Sequence, residues 1–342
     1  MLKINYLFLS LFLIALFVLT ISCNTTEPTD NIKPGRRDYT WKVDTLDIPF
    51  TTLQRIWGSS PDDVWAIGPG GDKDKTIYHF DGKKWKTDGI SRPLAPTSIF
   101  GFAPDNVWIG GRGGEIWHFN GFNLSKIFTM NITGYNFYGF ENIWGDAINN
   151  VYAVGYAEDG VTYKGIIALY DGVTWENLDI PIIKNSFIKI QRGIKSNNNY
   201  FILAYRFEQF AEDTSYIYEF DGLNLNKIYQ GITTTQELAE LACINGKIYI
   251  REGYNIFEYN NKKLDLLFKL PAEASISGRN IKDIFLAKID GIAHYNGSDI
   301  QYLYHFGNNI SLSGEVIFDN EIFFLAYDFN NSLNLVFRGK LK

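Results

Sequence analysis

Residues 77–85 read IYHFDGKKW, and the pattern returns five times. The other copies are 116–124 (IWHFNGFNL), 167–175 (IALYDGVTW), 217–225 (IYEFDGLNL), 256–264 (IFEYNNKKL) and 292–300 (IAHYNGSDI). Each is an apolar residue, two variable ones, Phe or Tyr, Asp or Asn, usually Gly, two more variable ones, and then Trp, Leu or Ile. Asp-Gly or Asn-Gly between β-rich runs is a strong hairpin signal, because a type I′ turn needs positive φ at both central residues and these residues tolerate it. Every copy therefore predicts a strand, a tight turn and a second strand.

A second pattern precedes several copies: residues 56–68 (IWGSSPDDVWAIG), 99–111 (IFGFAPDNVWIGG) and 143–155 (IWGDAINNVYAVG). It supplies two further strands around a Pro, Asp and Asn turn. Four strands in a unit of roughly forty to fifty residues is the period of a propeller blade. The final unit, residues 311–342, has only three strand-like stretches. Residues 40–49 (TWKVDTLDIP) line up with 174–181 (TWENLDIP), the outermost strand of the third unit. The amino-terminal strand can thus supply the missing fourth and close the ring, which otherwise would leave unpaired edges. The expectation is an all-β chain whose residues 39–342 form a single β-propeller of about seven four-stranded blades, the last closed by the amino-terminal strand.

Of the 342 residues, 46% are hydrophobic, 16% aromatic and only 20% charged, which is ample for a large core and unlike a disordered chain. Blades splay apart away from the axis, so the tryptophans at 57, 65, 85, 108, 144 and 175 are expected to fill the widening gaps. A net charge of −6 without any long basic run disfavours nucleic acid and an electrostatic hold on anionic membranes. Cys243 sits in an apolar run and reads as a small packed thiol, whereas Cys23 follows Lys3 and an almost unbroken apolar stretch ending at Ser22.

Residues 1–22 therefore read as a secretion leader, and 23–38, polar with Pro28, Pro34 and Gly35, as a flexible tether. The segment at 19–23 (LTISC) resembles a bacterial lipobox, with Thr20 where Leu or Val is usual. That resemblance implies diacylglycerol on the Cys23 thiol, cleavage before it and acylation of the new amino group; by analogy with lipoprotein sorting in Gram-negative cells, the absence of Asp after Cys23 is compatible with delivery to the outer membrane of the cell envelope. Each buried methylene contributes roughly 0.8 kcal/mol, so several chains anchor durably where one is marginal. The competing reading is an uncleaved membrane-spanning helix.

The WGSSPDDVW and HFDGKKW units resemble the repeats of bacterial envelope propellers, many of them lipoproteins. The likeness covers nearly everything after the tether and implies fold far more than function. The turn differs from the Asp-box of sialidase-type propellers, since Asp81-Gly82 and Asp171-Gly172 are adjacent and the serine is missing.

No metal site or cofactor is expected. His79, His118 and His294 share one slot of the repeat, two residues before the turn, and blades two or more apart cannot bring that slot together. No phosphate loop, dinucleotide fingerprint, nucleophile elbow or zinc-protease motif occurs. The most informative asymmetry is two acidic, aromatic insertions between second and third strands, at 156–164 (YAEDGVTYK) and 206–215 (RFEQFAEDTS). Tyr156, Glu158, Asp159, Tyr163, Phe207, Phe210, Glu212 and Asp213 are the candidate ligand-binding residues, suited to stacking a sugar or gripping a basic peptide. The functional expectation is a monomeric, lipid-anchored envelope propeller that binds or scaffolds a glycan, peptide or envelope protein. The alternative is a carbohydrate-active enzyme, glycosidase or lyase, using carboxylates on the loop face.

Overall fold

The computed structural model describes residues 31–46, 48, 51–179, 188–196, 199–206, 213–232, 238–272 and 274–342, which hold twenty-eight strands and no helix. Blade one is β2 (Arg55–Ser60), β3 (Asp63–Ile67), β4 (Ile77–Phe80) and β5 (Trp85–Lys86). Blade two is β6 (Ala95–Ala103), β7 (Asn106–Arg112), β8 (Glu115–Phe119) and β9 (Leu124–Thr129). Blade three is β10 (Phe137–Ala147), β11 (Asn150–Glu158), β12 (Tyr163–Tyr170) and β13 (Trp175–Leu178). Blade four is β14 (Ile188–Ser196), β15 (Asn199–Arg206), β16 (Thr214–Phe220) and β17 (Leu225–Ile232). Blade five is β18 (Glu240–Ile244), β19 (Lys247–Glu252), β20 (Asn255–Asn260) and β21 (Lys263–Lys269). Blade six is β22 (Ser275–Asn280), β23 (Asp283–Lys288), β24 (Gly291–Tyr295) and β25 (Ile300–His305). Blade seven joins β26 (Ile310–Ile317), β27 (Glu321–Asp328) and β28 (Leu333–Leu341) to β1 (Tyr39–Leu46). Pairing is antiparallel throughout, and a lone pairing of Gly139 with Arg112 fuses blades two and three into one sheet.

The second strand of each blade lies between its neighbours and is apolar on both faces: Val64 to Ile67 and Ile322 to Ala326 are fully buried runs. Seven apolar clusters result, one at each blade boundary. Trp65 and Ile67 meet Val107 and Trp117 between blades one and two. Phe285 and Ile292 meet Phe324 and Phe337 between blades six and seven. The cluster that closes the ring joins Val64 and Phe80 of blade one to Phe323 and Val336 of blade seven. Cys243 packs half-buried against the cluster between blades four and five.

Closure follows the sequence reading. β1 lies alongside β28, with Trp41 opposite Gly339 and Val43 opposite Phe337. The chain then enters blade one through a turn held by the wholly buried Asn334. The Leu53 amide donates to Asn334 Oδ1 at 2.7 Å, and Nδ2 donates to the carbonyls of Thr51 and Ile48 at 2.8 and 3.1 Å. One amide side chain thus fastens the last blade to the first.

Two local expectations are corrected. The Asp-Gly copies are not two-residue type I′ turns: Phe80 pairs with Trp85, leaving a four-residue loop in which only Gly82 has positive φ. The Asp81 carboxylate accepts the amides of Lys83 and Lys84, and Asn120, Asp171, Asp221 and Asn296 repeat the arrangement. A side-chain oxygen that caps the turn removes the need for positive φ at two positions. The I′ geometry occurs instead in the copy without Asp-Gly, where Asn261 and Lys262 have φ of 48° and 63° between paired Asn260 and Lys263.

The second correction concerns the tether. Residues 34–38 form a strap docked on blade six, with the Gly35 amide donating to the Lys282 carbonyl at 2.7 Å and Arg37 inserted beside His294. Gly35 lies so close to Asp283 that a Cβ would stand 2.6 Å from its Cγ. The leader, Cys23 and the start of the tether lie outside the described residues.

Candidate functional site

Antiparallel order places the blade-to-blade links and the β3–β4 type loops at one end of the ring and the Asp-Gly loops at the other. Near the first end a cavity of about 360 Å³ opens on the axis, lined from every blade. Its polar wall comes from the starts of innermost strands: Arg55, Ser98, Glu141, Glu240 and Ser275, with Glu315 from blade seven. Arg55 approaches Glu141 to 3.8 Å, and Arg251 pairs with Glu240 at 3.0 Å.

Bulges shape this wall. β6 skips a residue between Pro96 and Ser98, and β26 between Leu312 and Gly314. The extra residues, Thr97 and Ser313, donate hydroxyls to the next blade, to Phe140 O at 2.7 Å and Leu53 O at 3.1 Å. In β10 the same position is Glu141, where a hydroxyl stitch is replaced by a channel carboxylate. A bulge at the rim re-aims one side chain out of the ladder, here towards the axis.

Exposed apolar side chains occur at both ends of the ring: Phe122, Ile148, Val173 and Leu223 at the Asp-Gly end, and six others at the cavity end. At the cavity end Ile90, Phe137, Val161, Ile232, Ile289 and Phe329 are each more than half exposed, in links, at strand ends or in second-to-third-strand turns, two of them in blade three. Sequence reasoning missed the six because each residue is an isolated apolar letter in a polar loop. Only the strand order of the closed ring puts the six at one end.

The first candidate insertion is a longer hairpin instead of an open loop. β11 continues through Glu158 and β12 begins at Tyr163, leaving only Asp159 to Thr162 as a turn. That turn repeats the DGVT of 171–174: Asp159 accepts the amides of Val161 and Thr162 at 2.8 and 2.7 Å, which holds its carboxyl below the usual range. Tyr156 and Tyr163 meet edge to face at 5.7 Å, and Tyr156 covers Gly139. Burial pushes the Tyr156 hydroxyl up, with the Glu141 charge adding to it, so this ring supports the channel wall as much as it faces solvent. Phe207, Phe210 and Glu212 lie outside the described residues, and Asp213 stands half-buried just before β16.

The histidine slot has an intrablade partner. His79 Nε2 is 2.6 Å from Asp63, His118 Nε2 is 2.9 Å from Asn106, and His294 Nε2 is 2.7 Å from Asp283. Where the slot holds Glu219 or Glu258, Asn199 or Lys247 faces it. The slot and the first residue of the second strand thus change together from blade to blade. That paired change was the available signal in the sequence. Among the described residues no three His, Cys, Asp or Glu side chains converge as a metal site would require.

No protein-family model and no curated protein matches the chain. Solved structures do resemble it. YCF48 bound to D1 peptide superposes with a TM-score of 0.64 at 14% identity, over 91% of this chain and 100% of that one. The WD40 β-propeller domain of Doa1 gives 0.59 at 11% identity, covering 88% and 97%. BBS1N in complex with ARL6DN gives 0.57 at 14% identity, covering 90% and 98%. At these identities the likeness is one of fold.

Proposed function

We propose that this chain is a lipid-anchored propeller of the bacterial cell envelope that binds a protein segment across the mouth of its channel. The observation that carries the reading is the polar, charge-bearing cavity on the axis, lined from every blade, at the end where Ile90, Phe137, Val161, Ile232, Ile289 and Phe329 are also exposed. Apolar groups exposed beside a polar hollow offer contact area to a partner that lands there. The polar hollow itself fixes the partner's register. The likeness in fold to YCF48, which is bound to D1 peptide, and to BBS1N, which is in complex with ARL6DN, is in keeping with this use of the architecture. Attachment rests on the leader and Cys23, and outer-membrane delivery on the absence of Asp directly after it.

The test is capture from envelope extract by the intact protein, beside a variant carrying Phe137→Glu, Ile289→Glu and Phe329→Glu. These side chains are exposed, so the fold should tolerate the changes while the partner is lost. An unchanged set of captured proteins would refute the channel-face reading. Capture of soluble polysaccharide that persists in the variant would move the site elsewhere on the ring.

A further inference from the structure

Arg37 occupies a fitted socket on blade six. Its Nη1 donates to Asp299 Oδ1 at 2.9 Å, and its Nη2 donates to the carbonyls of Asp299 and His294 at 2.6 and 3.0 Å. The fourth bond sets the chemistry: Nε donates to His294 Nδ1 at 3.2 Å. A guanidinium has donors only, so Nδ1 must present a lone pair and the ring proton must sit on Nε2. From there it donates to Asp283 Oδ1 at 2.7 Å.

The imidazole is wholly buried, and every charged group around it can be named. Asp283 faces Nε2 from β23 and is itself held by Arg279 of β22 at 2.9 Å. Arg37 faces Nδ1 from the strap, and Asp299, in the turn after β24, faces Arg37. Lys282 contributes its carbonyl to Gly35. Gln301, opposite His294 on β25, donates to Asp299 Oδ2 at 2.6 Å. Arg279 also bonds the Phe318 carbonyl and the Tyr39 hydroxyl, so it stays with Asp283 whatever the strap does.

A proton and Arg37 therefore compete for one lone pair. Protonated Nδ1 would turn an N–H against the guanidinium and set two cations about 3.2 Å apart. The same imidazolium remains paired with Asp283 once the strap has gone. The strap's other holds do not depend on the imidazole: Arg36 and the Asp38 carbonyl bond Lys342, the Gly35 amide bonds the Lys282 carbonyl, and the Asp299 carboxylate is half exposed, where ion pairs hold weakly. We propose that residues 34–38 are a proton-released strap: acid protonates His294, expels Arg37 from the socket, and leaves the ring closed. Release adds about 17 Å of extended chain between residue 33 and β1. It thereby changes how far the propeller can stand from whatever holds its amino terminus. The inference does not depend on which partner binds the channel face.

The experiment is hydrogen exchange of the intact protein, corrected for the intrinsic pH dependence of amide exchange, at about pH 7.5 and about pH 5. Protection of the Gly35 and Tyr39 amides, bonded to the carbonyls of Lys282 and Arg37, should fall about tenfold or more in acid, while that of 43–46 in β1 stays constant. His294→Asn should make strap protection independent of pH across this interval. Arg37→Gln should keep the strap docked at both values, because a neutral amide can donate to the bare ring or accept from the protonated one. This variant leaves the blade interior untouched, so it decides the matter if His294→Asn does not fold. Constant strap protection in the unmodified protein, or an acid-induced fall that persists in Arg37→Gln, would overturn the proposal.

Discussion

Asn334→Ala is the sharpest test of how the ring is closed. The side chain is wholly buried and satisfies three main-chain groups of the turn entering blade one: the Leu53 amide and the Ile48 and Thr51 carbonyls. Truncation leaves these groups facing a small void. An orphaned buried polar group costs about 1–3 kcal/mol, and some water will reach the void, so the loss should be about 3–5 kcal/mol in total. That is a large part of the roughly 5–15 kcal/mol by which domains are stable. In urea, with a slope near 3 kcal/mol per molar, the midpoint should fall by about 1 M or more. Asn334→Asp is the informative companion: it keeps an acceptor for Leu53 but turns a second oxygen on two carbonyls, so it should be at least as damaging. Ser313→Ala removes one stitch across the same boundary and should cost only about 1 kcal/mol. A midpoint for Asn334→Ala within about 0.2 M of the unmodified protein would mean that the clasp is redundant with the pairing of β1 and β28.

Three further outcomes are expected. Burial pushes the Asp63 carboxyl up, but bonds from His79, Ser59 and Trp65 outweigh it and hold the group below the usual range. Its stabilisation is then present above the ordinary carboxylate range and lost as pH falls through the lowered value, so Asp63→Asn should flatten the acid limb of a melting-temperature profile; an unchanged limb would count against this. Trp108 Nε1 is buried without an acceptor among the described residues; Asn106 stands where Trp65 has Asp63, and its one acceptor oxygen faces His118. Asn106→Asp should therefore raise stability by about 1 kcal/mol near neutral pH, read by urea unfolding, and a lower midpoint would show that burying the charge dominates. Cys23→Ser should abolish incorporation of labelled palmitate and shift the protein from the membrane fraction; normal processing would remove the anchor from the proposed function.

The architecture was legible because every blade solves the same packing problem with the same letters. The apolar second strand, the aromatic at the wedge and the Asp or Asn at the turn recur, and the short final unit pointed to Thr40 and Trp41 as its completion. The turn geometry was misjudged because the repeat fixes which residues occur, while capping by the Asp81 side chain decides which φ values are needed. The tether was misjudged for a related reason. A stretch with Pro34, Gly35 and charges reads as unstructured, and nothing local in it reveals that Arg37 has a partner 257 residues away.

The binding face was hidden by the regularity that exposed the fold. A repeated letter reports a shared structural task, so what a single blade does differently carries the functional information. Thr97 and Ser313 stitch their blades to the next ones, and at the same bulge blade three places Glu141 beside Arg55 in the channel. His79 and His294 both bond a second-strand aspartate, yet only His294 also accepts from Arg37. Each departure sits where packing alone would have kept the repeat, and each points to a charge whose partner comes from another blade or from the strap. Restoring the repeat at one such position therefore separates the two roles. Glu141→Thr should preserve or improve stability by supplying the missing hydroxyl, measured by urea unfolding, while weakening capture of the channel-face partner. Loss of stability with capture intact would mean that Glu141 is a structural strut of the wall and that the recognition chemistry lies on the exposed apolar groups alone.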